Sequence, residues 1–313
     1  MSEKKYTECL EILVNPEASS GRGLKIWELV KGIFDEKNAP YNVHVLNAPG
    51  QAEYITSKLT RDLKDDLHLL VIGGDGTLNE TVNGIRDFDH TKLSCIRSGS
   101  GNDFALNMKV DKDIRKALTH LLDEPEEILI DYGEVRADKY PARRFLISCG
   151  IGYDADICKE VSGSRLKKIL NRLSLGKLVY VSIGIKQIFT RKKTMALLYL
   201  DDKKPIRIKS LFFAVGMNHV YEGGGVPFYP DADPTDGIMD VCLVRNMPKW
   251  KLMLAVAMVY SKKHLRFRKI NCYKCGSMFL ATMKPQQVHM DGETPFMARK
   301  IRMEIAGKLR FVK

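Results

Sequence analysis

Residues 71–80, Val71-Ile72-Gly73-Gly74-Asp75-Gly76-Thr77-Leu78-Asn79-Glu80, constrain this chain more than any other stretch, because an apolar, strand-like run passes straight into three glycines, an aspartate and a threonine. Glycine tolerates φ > 0 and lets the backbone approach an anion closely. The N-terminus of a following helix offers unpaired N–H donors, and Asp75 adds a carboxylate for a metal or a reacting hydroxyl. The spacing is neither G-x-x-x-x-G-K-[ST] nor G-x-G-x-x-G. The bland alternative is a tight strand-to-helix turn whose polar residues are incidental.

The surroundings of that turn give it a context. Over the first 125 or so residues, apolar runs at 10–14, 41–46, 67–72 and 93–96 alternate with helical spacings: Ile26, Leu29, Val30 and Ile33 after the first, Ala52, Ile55, Leu59 and Leu63 after the second, and a helix start at 78–85 after the third. This alternation predicts a doubly wound, Rossmann-like parallel α/β sheet, in which ligands collect where strands end. Asn15, residues 73–77 and residues 98–102 all follow strand ends. Beyond Asp131 the runs shorten and many alternate, at 145–149, 195–200, 206–209, 211–215, 239–244, 288–290, 301–305 and 309–312, with helical patterns around 165–190 and 248–261. That texture predicts a mostly antiparallel β-sandwich. The expected domains are 1–130 and 131–302, with residues 303–313 returning to the first.

A chain of 313 residues suits two domains. The longest apolar runs, 211–217 and 253–259, fall short of the ~20 residues of a spanning helix, and no apolar leader follows a basic start, so a soluble cytoplasmic protein is expected. Cys9, Cys149 and Cys242 sit inside apolar runs, which reads as reduced core cysteine. The pair Cys272-x-x-Cys275 leaves zinc or redox chemistry open, although no second pair stands at ligand spacing. Charge is concentrated: residues 159–193 hold ten Lys/Arg and one acid, residues 245–270 hold eight and none, and with a total of +12 the remaining residues carry −5. Such segments point to a polyanionic partner surface. In 165–173, Leu166, Ile169, Leu170 and Leu173 recur at helical spacing among Arg165, Lys167, Lys168 and Arg172, a basic amphipathic helix that suits a membrane or simply packs on the sandwich. No nucleic-acid motif accompanies the charge.

Five more clusters follow in order: Asn15-Pro16-Glu17-Ala18-Ser19-Ser20-Gly21-Arg22-Gly23, Ser98-Gly99-Ser100-Gly101-Asn102-Asp103-Phe104-Ala105, Gly150-Ile151-Gly152-Tyr153-Asp154-Ala155, Gly223-Gly224-Gly225 with Asp233-Pro234-Thr235-Asp236-Gly237, and Met290-Asp291-Gly292-Glu293. With these in that order, the chain resembles, over essentially its whole length, the bacterial diacylglycerol kinase-like lipid kinases, in the superfamily of sphingosine and ceramide kinases. The resemblance implies an ATP-dependent lipid kinase, diacylglycerol its leading acceptor, with ATP in a cleft between an N-terminal α/β domain and a C-terminal β-sandwich. It places nucleotide binding at Asn15, Pro16, Ser19, Gly21, Gly73, Gly74, Asp75, Gly76, Thr77, Asn79, Glu80, Ser100, Gly101 and Asn102. It puts the general base at Glu293, with Asp75 as the other candidate, and a structural Mg²⁺ site at Asp233, Asp236 and the backbone of Ile238. Ser19, Leu46 and Arg97 depart from the family pattern, where glycine, an ATP-contacting threonine and proline are common. The resemblance also tips the basic segments towards peripheral docking on an anionic inner membrane face. A homodimer is left open, as are a soluble-substrate kinase of the NAD kinase type and a non-catalytic lipid-binding regulator on the same scaffold.

Overall fold

The computed structural model describes residues 8–99, 101–163, 176–201 and 203–313; for residues 19, 20, 162, 163 and 176–181 it describes the backbone alone. Ser100 and the amphipathic pattern at 165–173 therefore lie outside the described residues. The chain divides into two compact units, residues 1–130 with 308–313, and residues 131–307.

In the first unit, β1 (Leu10–Val14), β2 (Tyr41–Val45), β3 (Leu67–Gly73) and β4 (Thr91–Arg97) run parallel in the order β2-β1-β3-β4. β1 and β3 are buried along almost their whole length, which is why they read as unbroken apolar runs. The helices are α1 (Ala18–Gly21), α2 (Gly23–Lys37), α3 (Gln51–Leu59), α4 (Asp75–Gly84), α5 (Asp103–Asn107) and α6 (Ile114–Asp123). α2 turns Trp27, Val30, Ile33 and Phe34 inward and stops where Asn38 takes a left-handed φ of 50°. α6 starts at Asp113, whose carboxylate accepts from the N–H groups of Arg115 and Lys116. The strand order reverses between β1 and β3, and sheets of this kind take ligands at the carboxyl ends of the strands beside that switch.

The second unit holds β5 (Glu127–Ala137), β6 (Tyr140–Phe145), β7 (Ser148–Gly152), β8 (Thr194–Leu200), β9 (Ile206–Met217), β10 (Tyr221–Glu222), β11 (Val226–Pro227), β12 (Met239–Arg245), β13 (Ile270–Cys275), β14 (Ser277–Met290) and most of β15 (Glu293–Val312). Its helices are α7 (Tyr153–Gly163), α8 (Gly176–Thr190) and α9 (Lys249–Ala257). Neighbours in the order β13-β12-β9-β7-β14-β15 pair antiparallel. β9 and β14 change partners along their lengths, since both also pair with β8 through their other halves. That double pairing lets the sheet close over itself as a sandwich. Alternate residues feed two apolar clusters: Val241 and Leu243 face one, Cys242 and Val244 the other. A strand covered on both faces loses its alternation, which explains the continuous apolar run there.

Several boundaries differ from the sequence reading. The run at 145–149 is split, because β6 ends at Phe145 and the N–H groups of Leu146, Ile147 and Ser148 turn to the Asp291 carboxylate at 2.9, 2.7 and 3.1 Å. The runs at 301–305 and 309–312 belong to the single strand β15. Its residues as far as Glu304 stay paired with β14, so the segment returning to the first unit is 308–313 rather than 303–313. Among the described residues no helix is long and apolar enough to cross a membrane.

Candidate active site

In the first unit the candidate nucleotide residues converge where β1, β3 and β4 end. Asn15 donates from Nδ2 to Thr77 Oγ1 at 2.9 Å, joining the end of β1 to the first turn of α4, and its Oδ1 accepts from the Glu17 N–H at 3.0 Å. The Pro16 carbonyl accepts from the Gly23 N–H at 3.2 Å, and Gly21, at φ 90°, needs glycine to close the turn. Ser98 Oγ donates to the Gly73 carbonyl at 2.9 Å, tying β4 to β3. Asn102, left-handed at φ 56°, locks its own loop: Oδ1 accepts from the Gly99 N–H at 2.6 Å and Nδ2 donates to the Gly99 carbonyl at 2.7 Å.

The glycines work differently from expectation. Gly73 ends a strand, Gly74 sits at φ −92° and Gly76 lies in the first turn of α4, and none of the three is left-handed. Gly73 is required by the fold, because a Cβ there would lie 2.5 to 2.8 Å from the Thr77 side chain. Gly74 is not: its dihedrals suit any residue, and a Cβ would meet only Gly99 Cα, at the ordinary contact distance of 3.4 Å. The open surface over Gly74, at the N-terminus of the ten-residue α4, suits an anion.

Asp75 is engaged with the chain itself. Its Oδ2 accepts from the Asp103 N–H at 3.2 Å and its Oδ1 from the Phe104 N–H at 3.1 Å, so it caps the start of α5 and leaves little room beside Gly101, where a Cβ would stand 3.0 Å from Oδ2. Asn79 is buried and accepts from Asn83 Nδ2 on the inner side of α4, while Glu80 is half-buried in the next position. Of Ser19 only its backbone place in α1 is described. Leu46 is buried, and Arg97 donates to the Ala105 carbonyl at 3.3 Å.

In the second unit, Asp291 and Gly292 take φ of 48° and 86° in the two-residue turn that joins β14 to β15, with Met290 paired to Glu293. The turn leaves Glu293 exposed as the first residue of β15. β14, just before this turn, carries a group the sequence did not flag as a site. His289, wholly buried, bonds through Nε2 to Asp154 Oδ2 at 2.8 Å and stands 3.4 Å through Nδ1 from Glu222 Oε1, which also accepts from Ser148 Oγ at 2.6 Å. Burial works against a charged imidazole here, but the carboxylates of Glu222, Asp154 and Asp291 outweigh it and raise His289 to about 9. Gly150 is obligatory beneath this group, because a side chain would collide with Asp154 and His289.

Asp154 and Glu222 are among the lining of a cavity of about 380 Å³. Its walls are mainly apolar, among them Phe212, Phe213, Phe228, Val244, Leu252 and Tyr260. The turn between β10 and β11 that carries Glu222 is Gly223-Gly224-Gly225, with three successive left-handed residues at φ 69°, 86° and 86°. Only glycine makes such a turn without strain. The group escaped sequence reasoning because Asp154, Glu222 and His289 come from three distant segments; the triple glycine and the Gly-Ile-Gly before Asp154 were the available signals.

The candidate metal residues occupy one turn. Asp233 Oδ1 accepts from the Thr235 N–H at 2.9 Å and hydroxyl at 2.7 Å, and Asp236 Oδ1 from the Ile238 N–H at 3.0 Å. Asp236 Oδ2 is 3.4 Å from Lys274 Nζ. Among the described residues no group of three or more His, Cys, Asp or Glu is placed to hold a metal ion. The hard oxygens of Asp233, Asp236 and the Ile238 carbonyl suit Mg²⁺, which keeps several waters and needs few protein ligands.

Comparison with known proteins places these features. Residues 10–135 match the model of the diacylglycerol kinase catalytic domain, and residues 148–306 that of the YegS C-terminal NAD kinase beta sandwich-like domain. The chain is 28% identical over 293 residues to YtlR of Bacillus subtilis (strain 168), covering 91% of this chain and 94% of that protein. It is 25% identical over 288 residues to the diacylglycerol kinase of Staphylococcus haemolyticus (strain JCSC1435), covering 91% and 82%. The crystal structure of a diacylglycerol kinase from Bacillus anthracis str. Sterne superposes with a TM-score of 0.67 at 18% identity, covering 98% of this chain and 97% of that one, a likeness of fold.

Proposed function

The chain belongs to the diacylglycerol kinase catalytic domain family, and from that premise we propose that it is an ATP-dependent lipid kinase that moves the γ-phosphate to a lipid hydroxyl, with diacylglycerol as acceptor. The observation that carries this reading is the cavity of about 380 Å³ in the second unit, mainly apolar along its walls and with Asp154 and Glu222 among its lining. Such a cavity suits an alcohol that bears hydrocarbon chains; a dinucleotide would bury most of its polar groups against walls that are mainly apolar.

Phosphoryl transfer needs positioning and charge neutralisation more than covalent help. The first-turn N–H groups of α4, open over Gly74, receive phosphate oxygens, and the Asn15–Thr77 bond keeps that turn against β1. Asp75 holds the N–H groups of Asp103 and Phe104 and so fixes the start of α5 beside Gly101 and Asn102. Glu293, exposed at the first position of β15, takes the proton of the acceptor hydroxyl. Mg²⁺, when held by Asp233, Asp236 and the Ile238 carbonyl, supplies charge neutralisation and fixes the turn.

Access to a bilayer substrate is supported by α9 and its surroundings. Trp250 (65% exposed), Phe189 (54%), Leu254 and Tyr260 present apolar surface among Lys249, Lys251, Lys262 and Lys263, and Val256 and Tyr260 also line the cavity. A peripheral site on an anionic membrane brings that face to the lipid.

The test is incubation with labelled ATP and separate diacylglycerol, sphingoid, ceramide, polyprenol and NAD acceptors. Label in phosphatidic acid is expected, and label confined to the NAD product would overturn the reading. Glu293→Gln should lower kcat by about 10²–10⁴-fold with little change in ATP KM. A raised ATP KM with normal kcat would make Glu293 a binding residue.

A further inference from the structure

The Cys272-x-x-Cys275 spacing resolves into something other than a chelate. Successive residues of β13 face opposite ways, so Cys275 enters the cluster of Met239, Met278 and Val241, while Cys272 shares the other face with Ile270. The two thiols are thereby kept apart. Cys272 instead stands directly opposite Cys242 of β12. Residues so placed in an antiparallel pair have Cα atoms about 4.5 or 5.5 Å apart, and both values fall within the roughly 4.4–6.8 Å spanned by disulfides. Cys242 is buried and lines the acceptor cavity; Cys272 is exposed on a strand at the edge of the sheet.

We propose that Cys242 and Cys272 form a reversible redox site in the wall of the cavity, in which hydrogen peroxide oxidises the exposed Cys272 and the buried Cys242 resolves it as a cross-strand disulfide. The Cys272 thiolate attacks one peroxide oxygen, the O–O bond breaks, and the departing hydroxide takes a proton to leave as water. The resulting sulfenic acid is attacked by the Cys242 sulfur, the S–S bond forms, and the sulfenic hydroxyl departs with the Cys242 proton as a second water. Two thiols lose two electrons and one peroxide gains them. The surroundings favour the first step: hydrogen bonds from Cys242 and, after the opposing effect of burial, from Tyr229 bring Cys272 down to about 7, against the carboxylates of Asp240 and Asp231. Cys242 is held well above the usual thiol range by the same contact and by burial, and capping of Cys272 removes that contact.

Bonded to Cys272, the Cys242 sulfur is drawn from hydrogen-bond to covalent distance of its partner, which reshapes the wall it lines. The consequence for catalysis rests on the lipid-kinase reading; the bond itself does not. The experiment treats the protein with hydrogen peroxide, blocks remaining thiols, digests it and maps linked peptides by mass spectrometry, with dithiothreitol reversal and with Cys272→Ser and Cys242→Ala as controls. The expected result is a Cys242–Cys272 linked peptide, lost in both variants and on reduction, with a several-fold rise in acceptor KM in the oxidised protein and ATP KM unchanged. Absence of that peptide, or linkage of Cys272 to another cysteine, would overturn the site. A linked peptide with unchanged acceptor KM would overturn its coupling to the cavity. A protein that forms the link yet phosphorylates no lipid would count against the kinase reading alone.

Discussion

Gly73 and Gly74 are neighbours with unlike reasons for lacking a side chain, and the difference can be measured. Valine at 73 would drive into Thr77, which also receives the Asn15 bond, so Gly73→Val should cost about 1–3 kcal/mol of stability. Gly74→Ala adds one methyl at 3.4 Å from Gly99 Cα, a distance the fold accepts, and fills the surface offered to phosphate. Its melting temperature should stay near wild type while ATP-dependent turnover falls at least tenfold. Wild-type turnover in that variant would remove Gly74 from the phosphate site. Residue types in this loop were legible because a strand feeding glycines admits few conformations. Their individual tasks were not: Asp75 reads as a reactive carboxylate in sequence, yet its two oxygens hold the N–H groups of α5, a partnership set by a segment 28 residues away.

At the scale of elements, the strands with two buried faces announced themselves as apolar runs, and the parallel order followed from the helices between them. β5 and β6 escaped, since Glu127, Asp131, Glu134 and Arg136 break the pattern of a strand whose existence depends on its partners. α9 was legible as a helix, and Trp250, set among lysines in the sequence, is exposed on it. Its Trp250 offers a direct probe, because the only other tryptophan, Trp27, is buried in the first unit. On addition of anionic vesicles the emission of Trp250 should shift to the blue, and the shift should fade as salt screens the lysines over a Debye length of ~10 Å at 0.1 M. Trp250→Glu should weaken vesicle binding by about tenfold and spare a short-chain, water-soluble acceptor. Unchanged binding would leave α9 as a solvated helix.

For the molecule as a whole, His289 links stability to pH. It joins β14 to Asp154 of α7 and Glu222 of β10, and its folded value of about 9 lies above the ordinary 6.5. A raised histidine stabilises fully below pH 6.5, and that contribution is lost as pH rises through about 9. The melting temperature of wild type should therefore fall between pH 7 and 9.5, and His289→Gln should flatten that slope; equal slopes would mean the imidazole is neutral. Sequence reasoning reached both fold classes and the order of the motifs, because each depends on local pattern. It did not reach the cavity, which exists only once α7, β9, β12 and α9 are assembled. The last strand carries a different consequence. β15 begins at Glu293 among the sandwich strands and ends with Arg310 and Phe311 paired to Lys92 and Leu93 of β4, while Ser94 donates to the Val312 carbonyl at 2.6 Å. A ribosome makes β4 early and these residues only after 131–307 have emerged, so through most of translation β4 presents an unpaired edge. The unit that is written first is therefore completed only once residues 308–313 have been made.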